Sequence, residues 1–166
     1  MRRLLTNGRL GLIALVLLAG VLAVEAVALT SDDDGGTPDP DPADRALALE
    51  FAEAIMSFDH RRIDADVARV VALGTPEFRR EFEREGTAFT ARITDNRLIS
   101  VGRIVSGPRL QRVRGRHATF VVVVDQQSSA EGAPADQPPN VDQFVLLVTV
   151  DRELDKIATV DQVWRS

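Results

Sequence analysis

HATFVVVVDQ, residues 117–126, is the stretch on which the fold turns. In an extended chain Phe120, Val122 and Val124 point one way while Val121 and Val123 point the other, so large apolar side chains occupy both faces. VDQFVLLVTVD, residues 141–151, behaves alike from Phe144 to Val150, with Thr149 as the one polar interruption. Leu98 to Ser106 and Lys156 to Val163 share this period of two. Gly107-Pro108, Arg114-Gly115, the Gly- and Pro-rich Ser128 to Asn140, and Glu153 to Asp155 supply the breaks between strands. Four strands in succession predict an antiparallel meander.

Upstream of the strands the pattern is helical. Asp41 followed by Pro42 reads as an N-cap with proline at the first helical position, opening a helix that runs to about Phe58. Glu50, Glu53 and Ser57 are its only polar stripe, so most of its surface is expected to be buried. A second helix spans about Asp64 to Leu73 and stops at Gly74; a third has Thr75 as cap and Pro76 as first residue, with Phe78, Phe82 and Phe89 turned inward. Three helices before four strands predict an α+β domain whose helices cover one face of the sheet. The second face, not assigned to either set of side chains by the alternation, then has to meet something apolar: a curl of the same domain, an identical subunit, a partner protein or a lipid, with Val121, Val123, Val145 and Leu147 as candidate contact residues.

The chain has 166 residues, of which about 125 from Pro42 onward fit one domain with one core. With no cysteine there is no disulfide, thiolate zinc site, cysteine nucleophile or lipid-bearing cysteine. The net charge of −5 is unevenly spread: Met1 to Thr30 carries +2, Ser31 to Asp44 carries −6, and the remainder −1. A nearly neutral domain lacks the long-range basic field of a nucleic-acid binder.

Leu10 to Val24 reads LGLIALVLLAGVLAV, and Ala26 to Leu29 lengthen it past Glu25 to a segment able to span a bilayer. Arg2, Arg3 and Arg9 precede it, which leaves residues 1–9 as a short cytoplasmic tail, 10–30 as a single-pass signal anchor, and everything after Thr30 outside the cytoplasm. The rival reading is a signal peptide cleaved after Ala28, at Ala26-Val27-Ala28. Glu25 lies near the outer end, as a tolerated interfacial acid or as a contact to a polar residue on a partner's membrane helix. Residues 31–41 form an acidic tether rich in proline and glycine, leaving 42–166 as the outer domain. The tether's aspartates do not have calcium-loop spacing, and no metal or cofactor is expected.

Within the domain, Asp59-His60 is the one acid-histidine neighbour pair, a general-base candidate weighed against a helix-ending loop in which His60, Arg61 and Arg62 favour the helix C-terminus. Arg112, Arg114 and Arg116, with Arg103 and Arg109 nearby, form a basic hairpin suited to lipid phosphates or an acidic partner, or else charged residues that block edge-to-edge aggregation. The charges from Glu77 to Glu85 describe a solvated helix face. Trp164 reads equally as an interface anchor or as a plug at the end of the last strand. No serine-hydrolase elbow, phosphate loop or zinc-protease motif is present, and there is no tyrosine.

The order of parts, together with Phe58-Asp59, IDADVARVVALGTPEFRREF (63–82) and VVVVDQQ (121–127), resembles the Mce-associated membrane proteins of actinobacteria. Where that family tends to have a tyrosine near the end of the first helix this chain has Phe58 or His60, and the tryptophan usual after the final turn is replaced by Ile157. The resemblance implies a nuclear-transport-factor-2-like outer domain with a curved four-stranded antiparallel sheet. It also implies a non-catalytic accessory role in Mce-type lipid import, with envelope transporter proteins as partners. Lipid or small-molecule binding by the same fold is the alternative, and an enzyme using Asp59 or His60 a more distant one.

Overall fold

The structure, a computed structural model, describes residues 41–134 and 136–163. The expected anchor, Glu25 and the tether up to residue 40 lie outside the described residues, as does Trp164. Among the described residues no helix is long and apolar enough to cross a membrane.

Three helices, α1 (Pro42–Met56), α2 (Ile63–Leu73) and α3 (Pro76–Asp95), accompany strands β1 (Phe58–Asp59), β2 (Leu98–Arg114), β3 (His117–Ala130), β4 (Asn140–Asp151) and β5 (Lys156–Val163). The strands form one antiparallel sheet in the order β1-β2-β3-β4-β5. The sheet therefore has five strands where four were expected. The extra one, β1, has only two residues, too few for a period of two to show. It also takes Phe58, so the first helix ends at Met56 rather than at Phe58.

Two caps hold where the sequence places them: the Asp41 carboxylate accepts from the Ala43 N–H (2.9 Å), and Thr75 Oγ1 accepts from the Phe78 N–H (3.2 Å). α1 lies across the inner face of the sheet, packing on β2 through β5. Ala48 and Ala52 allow its close approach, while Phe51, Ile55 and Met56 fill the space against Phe120, Val122, Leu146 and Val148. Phe78 of α3 meets Phe51 edge-on at 5.4 Å between ring centres, and Phe89 meets Phe58 at 4.7 Å. The C-terminal end of α1 is fastened to two strands, since the Met56 carbonyl accepts from Ser100 Oγ (3.2 Å) and from the Gln126 amide (2.9 Å). Ser57 Oγ accepts from the Gly102 N–H at 2.9 Å.

β2 runs through Gly107-Pro108 to Arg114, although that dipeptide reads as a break after Ser106. Register shifts between Ile104 and Arg112 absorb the extra residues, and Gly107 takes a positive φ of 101° that favours glycine. Pro108 costs no second ladder bond there, because β1 pairs β2 only at Ile99 and Ser100. Gly102 marks where α1 crosses β2: a Cβ there would stand 2.6 Å from Met56 Cβ. Gly102→Val is expected to destabilise the domain by about 1–3 kcal/mol through forced backbone movement. A chemical-denaturation midpoint equal to that of the native chain would show that α1 yields more easily than this packing implies.

Candidate functional site

The covered and uncovered faces of the sheet are set by alternation. Phe120, Val122, Val124, Phe144, Leu146, Val148 and Val150 are buried beneath the helices. Their neighbours point outward: Val121 stands opposite Leu147, and Val123 opposite Val145, which in turn faces Val163. The four central residues are half-buried by each other and by the strands, whereas Val163 is 45% exposed. One end of this strip closes with the Thr119 and Thr149 hydroxyls 3.1 Å apart, the other with Gln143 Nε2 donating to Asp125 Oδ1 at 3.0 Å. The outer face is thus an apolar strip between two polar rungs.

On β2, beside the strip, the same alternation turns Arg103, Arg109, Arg112 and Arg114 to the outer face, in register with Asp125, Val121, Thr119 and His117. All four are exposed. Arg116, the third member of the expected basic hairpin, points elsewhere: its Nε lies 3.2 Å from the Asp151 carboxylate and its Nη1 donates to Glu153 at 3.0 Å. That pairing spans 37 residues of sequence and leaves no local signature.

Arg116 belongs to a polar cleft of about 330 Å³ at one end of the domain, lined by Asp41, Asp44, Gly115, Arg116, Arg152 and Asp155. Arg152 Nε reaches Asp44 at 3.1 Å. Burial pushes the Asp44 carboxyl above its usual range, an effect that Arg152 partly offsets. Asp151, 1% exposed, also accepts from the backbone N–H groups of Glu153 and Leu154 at 3.1 and 3.3 Å. Both cations of the cleft are therefore committed to carboxylates of the fold itself.

Asp59 and His60 are parted by their partners. Arg61 grips the Asp59 carboxylate, its Nε donating at 2.8 Å and its backbone N–H at 3.0 Å, and these bonds hold the acid well below the usual carboxylate range. His60 Nε2 lies 3.1 Å from Glu131 Oε2, close enough for an ion pair when the imidazole is protonated but not aligned for a neutral hydrogen bond. Arg97 also holds Glu131, donating from Nε at 2.9 Å, and lowers its carboxyl pKa. The pair thus ties the α1–α2 connection to the loop after β3. It does not form an acid-base dyad facing a substrate. Among the described residues no group of three or more histidines and carboxylates is placed to hold a metal ion.

No family model matches the sequence. No curated protein matches it either. Solved structures do match. CagV from Helicobacter pylori, a VirB8 homolog of a T4SS, aligns with a TM-score of 0.58 at 7% identity, over 70% of this chain and 93% of its own. An IcmL-like type IV secretion system protein from Legionella pneumophila aligns at 0.59 and 11% identity, over 78% and 96%. The periplasmic domain of DotI aligns at 0.54 and 14% identity, over 79% and 100%. At such identities the likeness establishes the fold alone: three helices against a curled antiparallel sheet.

Proposed function

We propose that this chain is a non-catalytic accessory protein of the cell envelope, anchored by residues 10–30, whose outer domain docks onto other proteins through the uncovered face of its sheet. The observation that carries this reading is the strip of Val121, Val123, Val145 and Leu147, which no helix among the described residues covers. Support comes from the fold, shared with proteins whose names place them in secretion systems and, for DotI, in the periplasm. The titratable groups give further support, because Asp59, Asp44 and Asp151 are held by arginines and His60 lies against Glu131.

The assembly we propose is an Mce-type lipid importer, on the strength of the sequence pattern from Phe58 to Phe82 and from Val121 to Gln127. A component of a secretion apparatus is the second reading, favoured by the structural likenesses. Affinity purification of the full chain from its native membrane in mild detergent distinguishes them by the co-purifying subunits. Leu147→Asp places a charge in the strip without touching the core, and is expected to reduce recovery of those subunits by more than about tenfold, a change of about 1.4 kcal/mol or more in affinity. Undiminished recovery with a folded variant would remove the sheet face as the docking surface.

A further inference from the structure

We propose that the uncovered face of the sheet receives an acidic segment of a partner protein, whose carboxylates pair with Arg103, Arg109, Arg112 and Arg114 while its apolar side chains cover the strip beside them. The pairing rests on the docking role proposed above for that face and names the chemistry of what docks. Arg103, Arg109, Arg112 and Arg114 are all exposed on the outer side of β2, and none has an ion pair or hydrogen bond among the described residues. Arg61, Arg80, Arg84, Arg97, Arg116 and Arg152 each hold a carboxylate, so the row stands out against a surface that otherwise pairs many of its cations. The nearest acid across the row, Asp125 opposite Arg103, accepts from Gln143 instead.

The row is continuous with the apolar strip. Arg109 stands opposite Val121, and Ser106, between Arg103 and Arg109, stands opposite Val123. A segment that covers Val121 and Val123 therefore lies within reach of the arginines. Arg103 to Arg114 spans about 36 Å as ideal strand, and less with the register shifts in β2. Guanidinium groups spread in this way do not converge on one small anion. They match carboxylates repeated along a polypeptide, each planar fork taking a carboxylate through two parallel N–H groups.

The charges of the same face disfavour a second copy of this chain. A two-fold axis across the strands lays one arginine row upon the other. An axis along the strands lays the row over β5 of the second copy, where Asp161, opposite Leu147, is the acid on that face. The arginines then meet a single carboxylate, and the excess of like charge opposes association. A bilayer suits the face less well too. Surfaces that enter the headgroup layer do so with aromatic and large aliphatic side chains that reach into it. Here Val121, Val123, Val145 and Leu147 are half-buried, and every phenylalanine belongs to the core or packs against it.

The test places the photo-cross-linker p-benzoylphenylalanine at Ser106, which is exposed between Arg103 and Arg109, in the full chain in its native membrane. Peptide mapping after irradiation is expected to find it attached to a segment of another protein that carries about three or more Asp or Glu residues within about ten, the extended length of the row. Each exposed pair contributes little alone, so Arg103, Arg109, Arg112 and Arg114 are changed together to Gln. Recovery of the cross-linked protein in mild detergent is expected to fall more than about tenfold at ~50 mM salt, and the native chain is expected to approach that lower recovery at ~1 M. Changing the same four to Lys keeps the charges and is expected to cost less than the change to Gln; circular dichroism confirms that each variant is folded. Attachment to a segment poor in acids, to a second copy of this chain, to phospholipid or to no polypeptide would overturn the proposal, as would undiminished recovery with the folded Gln variant. Leu147→Asp separates the two failures. If it lowers recovery and the Gln variant does not, docking through the strip stands and the acidic partner falls; if neither lowers recovery, the docking face falls with it.

Discussion

Phe51→Ala is expected to shift the urea midpoint further than any surface substitution, at a cost of about 3–5 kcal/mol. Phe51 has no exposed surface, sits in the middle of α1, and meets Phe78 of α3 edge-on, so its ring joins the helix layer to the face of the sheet. Deleting it removes apolar burial and leaves a cavity that Ala48 and Ala52, the small neighbours on the same helix, cannot fill. Domains of this size are stable by about 5–15 kcal/mol, so the variant would sit close to its folding threshold. Denaturation with an unchanged m-value is the measurement. A loss below about 1 kcal/mol would mean that the core repacks around the gap and that α1 is not its keystone.

The second large effect is expected at Asp151. Its carboxylate serves Arg116 and two backbone N–H groups in the β4–β5 turn while almost wholly removed from water. Asp151→Ala leaves those N–H groups without their acceptor, for an expected loss of about 2–3 kcal/mol. Arg116 contributes less to the loss than a buried cation would, because it is 47% exposed and keeps Glu153. Asp151→Asn keeps an acceptor oxygen for the turn and is expected to cost about 1 kcal/mol. If the two variants were equally destabilised, the charge pair and not the turn would be the dominant contribution of this carboxylate.

Local chemistry was legible wherever one residue decides it. Asp41-Pro42 and Thr75-Pro76 set two helix starts, and the alternation through Phe120 to Val124 separates the side chains into two faces, whereas that Phe120, Val122 and Val124 are the ones beneath the helices depends on packing across the fold. The α+β class follows from the order of these patterns. Less legible were features that depend on what lies across the fold. β1 exists only because Phe58 and Asp59 find Ser100 and Ile99, some 40 residues on. β2 continues past Gly107-Pro108 because no strand beyond it needs the missing donor, a fact about the sheet edge that composition does not carry. Of the candidate residues, Val121, Val123, Val145 and Leu147 form one surface, as the period of two implies. The arginines divide: Arg112 and Arg114 join Arg103 and Arg109, while Arg116 turns to distant acids that no spacing rule connects to it.

Both ends of α1 are fastened, and this bears on how the domain would carry load. Tension arriving along the preceding chain meets Asp41 first, one turn from the Asp44–Arg152 pair, while the far end is held at the Met56 carbonyl by β2 and β3. A pull along the helix axis has to slide α1 across the sheet, straining these attachments and the interlocked core together, whereas an unfastened end would peel away one contact at a time. Attachment at both ends therefore makes α1 resist such a pull as one unit with the sheet.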